Sequence, residues 1–152
     1  MKKFYITTPL YYVNDKPHIG HGYTTILADV LSRYNKMFGK DVLFLTGTDE
    51  HGQKVQEAAS KNNTTPKEHV DKFYKNYTDL WKKLNINYDR FIRTTEENHI
   101  KKVQKMLNQL WEKGDIYIDE YEGLYSVSEE RFITEKEADE GDFREIKKLK
   151  ET

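Results

Sequence analysis

The sequence predicts an α/β fold of Rossmann type, built on a parallel sheet. Residues 3–7 and 42–45 indicate two strands, and a helical pattern lies between them. A strand, a helix and a strand at this spacing form a βαβ unit, whose two strands run parallel. The length agrees, because 152 residues with 36% apolar side chains are enough for one ordinary domain with a lean core.

The first strand and the helix after it are indicated by their apolar side chains. Residues 3–7 (KFYIT) indicate a short buried strand. Beyond residue 18, apolar side chains recur at intervals of three, four and seven, the spacing of one stripe along an α-helix. Gly39 suits the C-terminal cap of that helix. The stripe consists of Ile19, Tyr23, Ile26, Leu27, Val30, Leu31, Tyr34 and Phe38.

The second strand ends in a polar loop. Residues 42–45 (VLFL) form a continuous apolar run, which fits an inner strand of a parallel sheet, and residues 46–52 (TGTDEHG) follow it. In open α/β sheets, ligands bind beyond the carboxyl ends of the strands. The polar segments 7–21 and 46–52 both belong at that edge, so the sequence predicts a ligand site there.

Three more helices are predicted after the βαβ unit. The first is short, at residues 55–60, and the second begins with a capping box at residues 65–68, where Pro66 takes the first helical position. The third begins within residues 94–97 and ends at Gly114. The second helix is expected to place one apolar face in the core: Val70, Phe73, Tyr74, Tyr77, Leu80, Trp81 and Leu84.

The character of the chain changes after residue 114. Residues 116–118 and 124–127 indicate two short strands, and the remainder is mostly charged, with no terminal structure predicted. We therefore expect the sheet domain at residues 1–114 and the beginning of a second module, cut off, at residues 115–152.

The composition excludes several classes of site. The chain has no cysteine, which rules out a disulfide framework and a thiolate zinc site within it. The net charge of −1 gives no overall basic footprint for nucleic acid. No apolar run approaches the roughly 20 residues of a membrane span, and the strand-like start shows no signal peptide. We expect a cytoplasmic protein without membrane contact.

The turn that carries His18, Gly20 and His21 is the strongest candidate for a binding site. Amide groups in the first turn of a helix have no partners within the helix, and the positive end of the helix dipole points outward, so such a turn binds phosphates. The two imidazoles add donors that can be neutral or charged near pH 7. Gly20 has no side chain, so a base or ribose can approach the backbone closely.

Two motifs carry a family resemblance. Residues 5–14 (YITTPLYYVN), leading into residues 18–21 (HIGH), closely resemble the first signature of the methionyl-tRNA synthetases, and residues 46–52 resemble their next signature. Residues 93–95 and 121–125 also look like segments of that family. The resemblance extends over nearly the whole chain, but it covers only the amino-terminal part of a family enzyme.

The resemblance implies a fold and an activity. The sheet domain would be the amino-terminal half of a class I catalytic domain, followed by the start of a connective insertion. Such enzymes use ATP and Mg²⁺ to activate L-methionine to methionyl-adenylate, and then acylate tRNA(Met). His18 and His21 would contact the ATP phosphates and stabilise charge on the α-phosphate, and Gly20 would make room for the adenosine.

The resemblance also implies a methionine site. Asp49 would bind the methionine ammonium group together with the backbone of Leu10. Leu10 and Tyr12 would line the methionine pocket, which suits the chemistry because aromatic rings attract a thioether. His51 is a further candidate, either as a ligand contact or as a residue that orients the loop.

The chain also departs from the family pattern. The second catalytic motif of the family, Lys-Met-Ser-Lys-Ser, does not occur, so we expect the isolated chain to be inactive. Ser126 and Glu129 stand where some members carry a Cys-x-x-Cys zinc knuckle, so the chain resembles the zinc-free branch and no zinc is expected. The sequence does not indicate an oligomeric state.

Other interpretations of these residues stay open at this point. Another class I synthetase or nucleotidyltransferase could use the same histidine turn. A metal-dependent hydrolase could use His18 and His21 with a third ligand from Asp49, Glu50 or His51. The chain could also be a silent binding or structural module. In structural terms, the histidines and Asp49 could be caps, and Leu10 and Tyr12 could be plain core.

Overall fold

The computed structural model describes residues 2–143 and 145–151, which divide into two compact units. The first unit extends to Gln104 and contains β1 (Lys3–Tyr12), α1 (Ile19–Met37), β2 (Asp41–Asp49), α2 (Gln53–Lys61), α3 (Pro66–Lys83), β3 (Arg90–Arg93) and the start of α4 (Glu97–Glu112). The second begins at Lys105 and contains the rest of α4, β4 (Tyr121–Ser126), β5 (Arg131–Ile133), α5 (Glu135–Glu140) and β6 (Ile146–Glu151).

The sheet of the first unit confirms the predicted βαβ arrangement. All its strands are parallel, in the order β1-β2-β3. The prediction that residues 3–7 are buried is wrong, because β1 is an edge strand and Tyr5 is 59% exposed. β1 is also longer than the sequence predicts, because pairing with β2 shifts register after Thr7 and resumes at Leu10. Pro9 lies inside this irregularity, where the missing amide costs no ladder hydrogen bond. The extension carries β1 to Tyr12, which is paired with Asp49 at the end of β2.

β3 was absent from the sequence prediction. It has four residues, Arg90–Arg93, and joins the sheet through Leu45↔Arg90 to Thr48↔Arg93. Arginines stand at both of its ends, so it contains no apolar run that periodicity could detect. The strand exists because the edge of β2 supplies hydrogen-bond partners for it.

The orientation of α1 is the main surprise of the fold. An amphipathic helix usually turns its apolar stripe to the core, but α1 turns that stripe outward, with Ile19 92% and Tyr23 72% exposed. Asp29, on the buried face, accepts a hydrogen bond from the Asn87 amide at 2.9 Å and pairs with Arg33 at 2.7 Å. The buried face is made of small and polar side chains: Gly22, Thr25, Ala28, Asp29, Ser32 and Asn35.

α3 supplies most of the core that the sequence predicts, but Leu84 follows the helix and is 41% exposed. Trp81, Tyr77 and Val70 are almost completely buried, packed in one cluster with Phe44 and Tyr11. The predicted capping box is also present: the Thr65 hydroxyl accepts from the Glu68 amide, and the Glu68 carboxylate accepts from the Thr65 amide.

The second unit contains a three-stranded antiparallel sheet in the order β5-β4-β6. The strand predicted near residues 124–127 corresponds to β4, but the one predicted at residues 116–118 is wrong, since that segment forms no strand. The prediction of no terminal structure is also wrong, because β6 pairs along β4. Its charged side chains form ion pairs such as Lys148–Glu122 at 2.7 Å, so they do not prevent strand pairing.

Two sequence-based expectations concern the chain as a whole. No helix within residues 2–143 and 145–151 is both long and apolar enough to cross a bilayer. The domain boundary expected between residues 114 and 115 stays a prediction.

Candidate functional site

A cleft of about 480 Å³ opens beside the carboxyl end of β1. It brings together most of the side chains that the sequence singles out. Asp49 is not among the described residues that line it, but it neighbours Tyr12 across the β1–β2 ladder at the same sheet edge. The cleft is lined by Leu10, Tyr11, Tyr12, Asn14, Asp15, Lys16, His18, His21, Lys54 and Tyr77.

The two histidines form a reciprocal cap at the start of α1. His18 is the N-cap residue, and its Nδ1 accepts a hydrogen bond from the Gly20 amide at 3.1 Å. The Nδ1 of His21 accepts from the His18 amide at 3.1 Å, and the two rings stack with centroids 3.7 Å apart. Because both Nδ1 atoms act as acceptors, each neutral imidazole carries its proton on Nε2.

The surroundings of His21 favour its neutral form. Burial, and secondarily the charge that His18 can carry, lower the pKa of His21 below its ordinary value of 6.5. The rings of Tyr11 and Tyr77 flank it at centroid distances of 4.7 and 5.5 Å. The turn thus offers an imidazole Nε2–H donor at the positive end of α1, but the Gly20 amide is capped by His18 and is not the free phosphate donor that the sequence predicts.

Gly20 serves a purpose that the sequence did not indicate. A side-chain carbon at this position would lie 2.9 Å from Cε1 of His18 and 3.1 Å from its Nδ1. Glycine is therefore required for the His18 ring to fold back onto the Gly20 amide.

Tyr77 of α3 is a site residue that sequence reasoning assigned only to the core. Its hydroxyl donates to the Tyr12 carbonyl at 2.8 Å, and its ring lines the cleft. Burial, followed by the charges of Asp15 and Tyr11, raises the pKa of Tyr77 to about 12, so the hydroxyl stays protonated. Lys54 on α2 also lines the cleft and was likewise not singled out. Neither residue belongs to a motif, so no sequence signal marked them as site residues.

The exposure of Leu10 and Tyr12 argues against the plain-core alternative. Leu10 is 36% and Tyr12 41% exposed, and both line the cleft. Their side chains are therefore accessible to a ligand.

The acidic loop after β2 divides its carboxylates between two environments. Glu50 is buried and accepts hydrogen bonds from Thr48, Arg93 and Thr95. Asp49 is half-buried, and its Oδ1 has two long contacts of 3.4 Å, to the His51 amide and to the Thr94 hydroxyl. Glu50 is thus fully engaged with the protein, whereas Asp49 is held loosely.

The acidic loop also contains His51 and the other side chains that the metal-binding alternative would need. The exposed His51 has its Nδ1 3.2 Å from the Thr94 hydroxyl, which agrees with a residue that orients the loop. Across the described part of the chain, no group of three or more His, Asp or Glu side chains is arranged to hold a metal ion.

Comparison with known proteins identifies the family of this fold and site. The family model of the class I tRNA synthetases (M) matches residues 4–141. A methionine–tRNA ligase 1 of Bacillus cereus is 54% identical over 134 residues, which cover 88% of this chain and 20% of that protein. The methionine–tRNA ligase of Clostridium perfringens is 49% identical over 154 residues, covering 99% of this chain and 24% of that protein.

The solved structures agree with the sequence relatives. The methionyl-tRNA synthetase of Mycobacterium tuberculosis in complex with methionyl-adenylate superposes with a TM-score of 0.91 at 36% identity, covering 99% of this chain and 31% of that one. This chain thus spans about a fifth to a third of the length of the proteins it matches. Since the family model covers residues 4–141, including the histidine turn and the acidic loop, the chain belongs to the class I tRNA synthetases, in the methionyl (M) group.

Proposed function

We propose that the protein containing this chain activates L-methionine with ATP to methionyl-adenylate, and then transfers the methionyl group to tRNA(Met) in the cytoplasm. One observation carries the proposal: the histidine turn and the acidic loop stand at one edge of the parallel sheet, in a chain whose M. tuberculosis relative was solved with methionyl-adenylate. We also propose that residues 1–114 are half of the catalytic domain and that residues 115–152 begin a connective insertion.

His18 and His21 act on the ATP phosphates in this proposal. Their Nε2–H groups and the positive end of the α1 dipole stabilise the negative charge that grows on the α-phosphate when the methionine carboxylate attacks it in line and pyrophosphate leaves. Mg²⁺ enters with ATP and neutralises part of the phosphate charge. Gly20, which carries no side chain, makes room for the adenosine.

Asp49 binds the ammonium group of methionine in this proposal, together with the Leu10 backbone. Leu10 and Tyr12, both accessible in the cleft, contact the side chain, where an aromatic ring and a thioether attract each other. His51 stays a candidate for orienting the loop rather than for binding the ligand.

The test is amino-acid-dependent exchange of pyrophosphate into ATP by the full-length protein. We expect exchange with methionine and not with leucine or valine. His18→Ala is expected to lower kcat by about 10²–10³, the usual cost of removing one oxyanion donor. His99→Ala, a histidine of α4 outside the cleft, is the matched control and is expected to leave exchange unchanged.

Two results would contradict the proposal. Exchange driven equally well by another amino acid would assign the chain a different substrate. Full activity of His18→Ala would show that His18 does not stabilise the charge on the α-phosphate. For the isolated residues 1–152, which lack the Lys-Met-Ser-Lys-Ser motif, we expect negligible exchange.

A further inference from the structure

A buried ion pair joins the acidic loop to the end of β3. The Glu50 side chain is 0% exposed and accepts from the Arg93 Nε at 2.7 Å and from the Thr48 hydroxyl at 2.8 Å. The Thr95 hydroxyl donates to its second oxygen. A buried carboxylate with this many donors holds one orientation, because moving it would leave a buried charge without partners.

Arg93 is itself fixed from several sides. Its Nη2 donates to Asp71 of α3 at 2.6 Å while its Nε donates to Glu50, and its guanidinium lies 4.1 Å from the centre of the Tyr74 ring. Burial tends to lower the pKa of Arg93, but the hydrogen bonds to Glu50 and Asp71 outweigh it and raise that pKa. Arg93 therefore stays charged and connects β3, α3 and the acidic loop.

Thr94 transmits this fixed geometry to the residues on either side of Glu50. Its hydroxyl accepts from the Glu50 amide at 2.8 Å, and it lies 3.4 Å from Oδ1 of Asp49 and 3.2 Å from Nδ1 of His51. Its own amide donates to the Thr48 carbonyl at 3.2 Å. One hydroxyl thus contacts three consecutive loop residues, including Asp49, whose carboxylate is proposed to bind the ammonium group of methionine.

We propose that Thr94, held in place by the Glu50–Arg93 ion pair, positions Asp49 for the ammonium group of the amino-acid substrate. The inference rests on the proposed function, because it takes Asp49 as the ammonium ligand. The Glu50–Arg93 ion pair is buried, and the Thr94 hydroxyl donates to Oδ1 of Asp49 at 3.4 Å, which limits the orientations open to that carboxylate. Thr94 is a positioning residue, since it acts through Asp49.

The decisive comparison is Thr94→Val against Thr94→Ser in the full-length protein. Valine keeps the shape of threonine but removes the hydroxyl, whereas serine keeps the hydroxyl. We expect Thr94→Val to raise the KM for methionine in pyrophosphate exchange about tenfold, the effect of losing one hydrogen bond near a charged group. For Thr94→Ser, we expect a KM for methionine within about twofold of the wild-type value. The KM for ATP should also stay within about twofold of the wild-type value in both variants.

A second readout isolates the ammonium group. 4-(Methylthio)butanoate lacks the amino group of methionine, so its competitive inhibition constant does not depend on Asp49. We expect Thr94→Val to weaken methionine binding while leaving this constant unchanged. Thr95→Val, which removes a donor from Glu50 one step further away, is expected to show the same pattern more weakly. Lys101→Gln, which removes an exposed ion pair with Glu97 on α4, is the control and should change neither constant.

Three results would separate the possible failures. If the unchanged full-length protein shows no methionine-dependent exchange, the proposed function itself is overturned. If it is active and Thr94→Val has a normal KM for methionine, only the positioning role is overturned. A fall in kcat and Tm with both KM values unchanged would show that Thr94 only stabilises the fold, which also contradicts the proposal.

Discussion

Gly47→Ala tests how closely β2 and β3 approach each other. Gly47 pairs with Ile92 across the ladder, and a side-chain carbon at position 47 would lie 2.0 Å from the Ile92 carbonyl oxygen and 2.9 Å from the carbonyl carbon. Favourable contacts between such atoms begin only above about 3 Å, so β3 must move outward by about 1 Å. The obstacle is backbone, which no rotamer change can relieve.

We expect this substitution to lower the free energy of unfolding by about 3 kcal/mol, the upper end of the usual cost of overpacking. Urea unfolding followed by the fluorescence of Trp81 is a suitable assay, because Trp81 is fully buried in the first unit. The chain has two tryptophans, so a Trp111→Phe background leaves Trp81 as the single reporter. With a slope of about 1–3 kcal/mol per M of urea, the midpoint should fall by about 1 M or more.

Gly22→Ala is the matched control for this prediction. A side-chain carbon there meets nothing nearer than Cδ1 of Leu84, at 4.0 Å, and Gly22 lies inside α1. Alanine in a helix is favoured over glycine by about 0.5–1 kcal/mol, so this variant should unfold at slightly higher urea. An unchanged midpoint for Gly47→Ala would refute the close approach of β2 and β3, and an equal loss in both variants would refute the steric reasoning.

Three further predictions concern the cleft and the second unit. Tyr77→Phe removes the donor to the Tyr12 carbonyl and should lower the free energy of unfolding by about 1 kcal/mol, measured in urea; an unchanged value would mean that this bond adds nothing. The pKa of His21, measured by NMR titration, should lie below 6.5, and His18→Ala should raise it without reaching 6.5, because burial remains. Since this pKa is lower in the folded than in the unfolded chain, the stability that His21 contributes is present above pH 6.5 and is lost as the pH falls through the folded pKa. Thr134→Ala removes the N-cap of α5 and should destabilise that helix by about 1 kcal/mol, seen as faster amide exchange there; unchanged exchange would count against the cap.

The candidate site was largely predictable because its signals are local. A strand, two histidines around a glycine and a helix lie within a few residues of each other, so spacing alone brings His18 and His21 into one helical turn. The parallel βαβ unit then places the acidic loop at the same edge, as the Tyr12–Asp49 pair shows.

The contacts of the supporting residues were not predictable in this way, although residues 93–95 resemble a family segment. Tyr77, Arg93 and Thr94 reach the site from sequence positions far along the chain, and nothing in the order of residues states which carbonyl or carboxylate each will meet. Periodicity detects where a side chain sits on its own element, whereas these contacts depend on how separate elements pack.

The sequence by itself determined the βαβ unit, the helix caps and the histidine turn, because each depends on interactions within a short stretch of backbone. Only the tertiary structure decided that β3 forms and that α1 buries its polar face. Both outcomes depend on partners distant in sequence: the edge of β2 for Arg90–Arg93, and the Asn87 amide that Asp29 meets inside the fold. A buried polar group is stable only where the fold supplies a hydrogen-bond partner, and the spacing of apolar residues along the sequence does not show where such a partner lies.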